Sequence, residues 1–153
     1  MSDIDKTDEP RRQMALMREK VRLAGIDEAM IERLVRGFYG KIREDDLIGP
    51  IFAARIQDWE PHLQKMFAFW SSVMLLSSRY EGFPMRVHLP LPIGSPHFDR
   101  WLKLFGETAR ETCPPEAAQL FIERAEQIGE NFEFGIATFR GESIIPRSKR
   151  KKE

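Results

Sequence analysis

The sequence predicts an all-α protein. Apolar residues recur at intervals of three and four through most of the chain, and Gly49-Pro50 and Pro114-Pro115 punctuate those segments. No stretch alternates apolar and polar between turn residues, and no internal repeat is present. About six or seven helices of unequal length, one of them very short, account for the pattern.

The elements follow in order. Residues 1–13 are polar and carry Pro10, which reads as a mobile arm, and a short helix is expected from about Met14 to Leu23. Gly25 stops it and Asp27 caps the next, Glu28 to Arg43, where Met30, Ile31, Leu34, Phe38 and Ile42 share one stripe. Tyr39 stands at the edge of that stripe, placed to bury its ring while its hydroxyl seeks a partner. Gly49 and Pro50 force a bend, after which Ile51, Phe52 and Ile56 are apolar enough to close one end of a cavity.

Asp58 is the expected N-cap of a helix reaching Ser78, and Pro61 suits its first turn. That helix is apolar on more than one side, with His62, Met66, Phe69 and Val73 on one face. Tyr80 to Pro84, with Gly82, is a turn. In the segment PMRVHLPLP, His88 sits among Pro84, Pro90 and Pro92, so it lies at or near the end of a brief helical turn that fixes its direction. Ser95-Pro96 is a capping signal for a helix bearing Phe98, Trp101, Leu102, Phe105 and Ala109. The last helix, Glu116 to Phe139, carries Leu120, Phe121, Ala125, Ile128, Phe132, Ile136 and Phe139 as its stripe, and Gly141 and Pro146 end it. One domain, 14–141, thus lies between the arm and a solvated basic tail, 142–153.

Composition narrows the partners. Twenty-four basic and 24 acidic residues leave a formal net charge of zero, so no global field steers the chain to nucleic acid or anionic membrane. The longest nearly apolar run, Met66 to Leu76, is short of a membrane span, and the charged start lacks the apolar stretch of a signal peptide. One cysteine, Cys113, excludes an internal disulfide and reads as a buried or half-buried thiol at a helix end. A cytoplasmic location is expected.

The local signatures HExxH, CxxC, GxGxxG, GxSxG and the phosphate-binding loop are absent, so the three histidines are judged by context. A zinc site on His62, His88 and His97 has the right ligand number, but His97 reads as a surface or capping residue in a helix's first turn. Di-iron chemistry needs Glu-x-x-His pairs on two helices, and none occurs. A haem held by one imidazole uses more of what is present: His88 is a candidate iron ligand, and Tyr39, His62 and Trp101 combine an apolar body with a polar tip. An aromatic stripe of this kind also serves as plain core.

Four stretches carry a family resemblance: FYGKIREDDLIGPIF, WEPHLQKMFAFWSSVMLL, MRVHLPLP and HFDRWLKLFGET. In order and spacing they resemble the truncated haemoglobins, and within them group III; the lack of any Gly-Gly pair, usual in groups I and II, favours that group. The resemblance implies a truncated globin-like helical sandwich with a very short proximal helix, holding haem b. It implies His88 as proximal iron ligand, Tyr39, His62 and Trp101 as the polar distal residues that act on a bound ligand, and Phe52 wedged against the porphyrin. Phe38, Met66 and Phe69 would line the pocket and Lys65 would meet a haem propionate. Met66 departs from the usual aliphatic residue, which leaves the pocket size open.

The implied activity is binding of O2, NO or CO at iron with slow release, and nitric oxide dioxygenase or peroxidase-like chemistry, served by a reductase. A monomer or weak dimer without nucleic acid or membrane partners is expected. The reading from another class is a globin-like module that has lost haem and serves interaction or sensing.

Overall fold

The computed structural model describes residues 8–80, 82, 84, 88 and 91–142. Six helices occur among them: α1 (Asp8–Leu23), α2 (Glu28–Glu44), α3 (Gly49–Arg55), α4 (Trp59–Leu75), α5 (Ser95–Thr112) and α6 (Pro115–Phe139). No strand is found among the described residues. α2 packs on both α4 and α5, and α5 packs on α6, so two helix pairs enclose one core while α1 lies on α4.

α1 starts at Asp8, ahead of the expected Met14, with Glu9 paired along the helix to Arg12 and Gln13. Its end closes at Gly25, whose φ of 76° favours glycine, while the Ile26 amide donates to the Val21 carbonyl. Residues 1–7 of the expected arm and 143–153 of the expected tail lie outside the described residues. So does most of the short helical turn expected around His88, where of residues 84–90 only Pro84 and His88 are described.

Asp27 caps α2 as expected, its carboxylate accepting from the Met30 amide at 2.8 Å. The stripe Met30, Ile31, Leu34, Phe38 and Ile42 is buried, and Val35 and Tyr39 join it. At the far end Asp45 turns the chain: its carboxylate accepts from the Leu47 and Ile48 amides, both at 3.0 Å, and from the Arg100 guanidinium at 3.1 Å. These bonds, the Ile48 amide first, hold the Asp45 carboxyl below its ordinary range. α3 then begins at Gly49, where a Cβ would stand 2.7 Å from the Ile42 carbonyl oxygen.

α4 buries Leu63, Phe67, Trp70, Ser71 and Met74 on one side and half-buries His62, Met66, Phe69 and Val73 on the other, as its two-sided apolar sequence requires. It stops at Leu75, short of Ser78, because Leu76 and Ser78 take left-handed backbone, with φ of 55° and 60°. A polar cluster draws the chain aside there. Ser71 Oγ and Arg79 both donate to the Glu28 carboxylate, Ser71 and Ser77 hydroxyls meet at 2.7 Å, and the Tyr80 amide donates to Ser72 Oγ at 2.8 Å.

Between the helix pairs, Phe105 is stacked on both faces, with Trp70 at 5.0 Å and Trp101 at 5.8 Å between ring centroids. Phe38, edge-on at 5.1 Å, and the fully buried Phe121 complete this centre. α6 departs from its sequence stripe at two points. Phe139 is 65% exposed because the last turn runs past the core, and Glu133 is buried within it, accepting from the Ser95 hydroxyl at 2.5 Å. Cys113 is buried as a free thiol. No helix among the described residues is long and apolar enough to cross a membrane.

Candidate functional site

α2 and the first turn of α4 bring Tyr39 and His62 together. Their rings meet edge to face, with centroids 5.1 Å apart. Around Tyr39 stand Phe38 at 5.3 Å, Phe52 at 5.8 Å and Trp59 at 6.1 Å. Burial pushes the Tyr39 hydroxyl far above the ordinary phenol range, so it remains a protonated donor. The Nε2 atom of His62 is buried and has no hydrogen-bond partner among the described residues. Burial holds the His62 pKa down, with Lys65 and His88 as lesser causes in the same direction.

His88 is half-buried and directed by its neighbours. Its Nδ1 lies 2.6 Å from the Pro84 carbonyl oxygen, which can only accept; Nδ1 therefore carries the proton and Nε2 keeps its lone pair. Phe132 of α6 lies against the ring at 4.7 Å. Burial lowers the His88 pKa while the Pro84 bond opposes it. A cavity of about 330 Å3 adjoins this side, lined by Phe69, Val73, Leu76, Pro84, Ile128 and Phe132 among others.

The remaining sequence candidates fall into place around these groups. Trp101, half-buried on α5, touches Phe38 edge-on at 5.6 Å, and Phe38 in turn meets Tyr39 at 5.3 Å. Phe52 and Met66 are half-buried and pack against the core; Phe69 contacts Tyr80 at 5.4 Å and borders the cavity. Lys65 is exposed on α4. His97 accepts from the Gly94 amide through Nδ1 at 2.9 Å, a capping role, and no metal-binding group of three His, Cys, Asp or Glu occurs among the described residues.

Two residues escaped the sequence reading. Trp59 packs on both Tyr39 and His62, at 6.1 Å in each case, and the Arg43 guanidinium covers it at 4.8 Å. Its place three positions before His62, one helical turn away, was the available signal. Phe132 was legible as core but not as the floor of His88, because that contact joins distant parts of the chain.

Two packed helix pairs around one aromatic core define a globin-like protein. The model of the bacterial-like globin family matches residues 23–131. A group 3 truncated hemoglobin of Campylobacter jejuni is 34% identical over 121 residues, spanning 76% of this chain and 95% of that protein. The crystal structure of a group III truncated hemoglobin from C. jejuni superposes with a TM-score of 0.67 at 34% identity, covering 71% of this chain and 89% of that one. A thermostable hemoglobin from Thermobifida fusca shares the fold alone, with a TM-score of 0.62 at 22% identity, over 74% of this chain and 95% of the other. The chain belongs to the bacterial-like globin family, as a truncated haemoglobin of group III.

Membership carries haem-based binding of diatomic ligands as the general activity. The residues present fit that group: His88 offers a single unprotonated nitrogen, and the buried His62 Nε2 lacks a protein partner among the described residues.

Proposed function

We propose that this chain carries haem b on His88 and binds O2, NO or CO beside a cage made by Tyr39, His62 and Trp101, releasing the ligand slowly. When bound, the haem supplies an iron at which a diatomic molecule coordinates. The observation that carries the reading is the buried His62 Nε2, without a hydrogen-bond partner among the described residues, on a ring that meets the Tyr39 ring edge to face. Leaving a buried nitrogen unbonded costs roughly 1–3 kcal/mol, a cost that an incoming polar ligand removes.

Each residue then has a task. Pro84 holds the Nδ1 proton of His88, which leaves Nε2 to the iron, and Phe132 steadies the ring. Tyr39 O–H and Trp101 N–H would donate to a bound ligand, and His62 would either gate the pocket or itself serve as a ligand to the metal. Phe38, Phe52, Met66 and Phe69 keep water out, and Lys65 meets a propionate. A dense set of donors would suit chemistry on nitric oxide or peroxide more than delivery of oxygen, with a reductase as partner. A monomer or weak dimer in the cytoplasm completes the proposal.

The test is an absorption spectrum of purified protein after haem addition. A Soret band that is lost or shifted in His88→Ala supports the reading; no band in the unaltered chain leaves the haem-free interaction or sensor module instead.

A further inference from the structure

Resting on the haem reading, the inference concerns the residues that hold the chain just after His88. Beyond His88, the Leu91 amide donates to the His88 carbonyl at 3.1 Å and the Ile93 amide donates to the Leu91 carbonyl at 2.9 Å. The guanidinium of Arg140, at the end of α6, straddles this stretch: Nη1 donates to the Ile93 carbonyl at 2.8 Å, and Nη2 donates to the Leu91 carbonyl. Ile93 is buried with Phe98 and Ile136, and Leu91 and Phe132 pack against them. The C-terminal turns of α6 thus supply both the floor under the imidazole and a fork that grips the chain just after it.

We infer that Arg140 is a positioning residue for His88, fixing the Leu91–Ile93 backbone so that the imidazole would be presented to the haem in one orientation. A planar guanidinium with two parallel donors holds two carbonyls in a geometry that a single bond does not. Outer partners of this kind orient a metal-ligating histidine, and their loss is felt in the metal–ligand bond. The side chain is separable from any role in ending α6, since the Arg140 backbone amide closes that helix on the Ile136 and Ala137 carbonyls. Substituting the side chain leaves that closure in place.

The experiment compares haem-loaded wild type with Arg140→Ala, Arg140→Lys and, as a control on an exposed neighbour, Thr138→Ala. The iron–imidazole stretching line of the reduced protein is recorded by resonance Raman, with the rate of haem transfer to an acceptor globin and the melting temperature. In Arg140→Ala the line shifts and broadens and haem leaves roughly five- to tenfold faster, the scale of one charged hydrogen bond partly transmitted. Arg140→Lys recovers part of both effects and Thr138→Ala neither gains nor loses. A wild-type line and transfer rate in Arg140→Ala, whatever the melting temperature does, overturn this inference while a His88-dependent Soret band still supports the haem reading. A wild-type chain without such a band overturns both.

Discussion

Tyr39 and His62 stand with their ring planes 83° apart and their centroids separated by 5.1 Å, so the edge of one faces the other. The contact joins α2 to α4 at the point where the proposed ligand cage begins.

Removing the donors should loosen the ligand. Tyr39→Phe and Trp101→Phe are each expected to speed oxygen dissociation by about fivefold to tenfold, the weight of one hydrogen bond of roughly 1–1.5 kcal/mol. Stopped-flow displacement measures the rate, and unchanged rates in both variants would remove the cage from the mechanism.

His62 keeps a buried nitrogen unbonded among the described residues, and that has a cost in the haem-free chain. His62→Leu, of similar size and without the polar atom, should raise unfolding stability by about 1 kcal/mol at pH 7. Urea unfolding of the two haem-free proteins decides it; a less stable variant would mean that the nitrogen is satisfied in solution.

Asp45 gives the fold an acid limb. Its carboxyl is held below the ordinary value of 3.8, chiefly by the Ile48 amide and also by the Leu47 amide and Arg100. The folded form therefore releases the proton more readily than the unfolded chain. Its contribution is complete above pH 4 or so and fades as pH drops through the folded pKa. Asp45→Asn should cost about 1 kcal/mol at neutral pH and flatten the loss of stability below about pH 4, read from melting temperatures across pH 2–7. Equal acid slopes in the two proteins would discard the assignment.

Gly49→Ala tests the corner that carries Phe52. The new methyl would meet the Ile42 carbonyl oxygen at 2.7 Å, a backbone atom that cannot move aside cheaply. A loss of about 1–3 kcal/mol is expected in urea unfolding, as for other forced overpacking. A neutral result would show that α3 can shift freely against α2.

The helices were legible because their signals are local. Asp27 before the α2 stripe, the Pro114-Pro115 pair before α6 and the two apolar sides of α4 each announce an element within a few residues. Failures fell where distant groups decide. α4 stops early because Glu28, far away in the chain, gathers Ser71 and Arg79, and nothing near Leu76 advertises that. Glu133 is buried in α6 because Ser95 meets it from the start of α5. At the site, helical spacing put His62 and Met66 on one face, but the contact between His88 and Phe132 depends on how α6 crosses the bundle. Ser95 was expected to cap α5, whereas the turn closes through His97 reaching back to the Gly94 amide.

The double stack of Trp70, Phe105 and Trp101 makes a slab three rings thick across the middle of the molecule, with interplanar angles of 19° and 17°. In the proposed pocket, such a slab would make Trp101 a stiff member of the wall. Accommodation of ligands of different girth then falls to the unstacked Met66, whose flexible thioether can change shape without disturbing its neighbours.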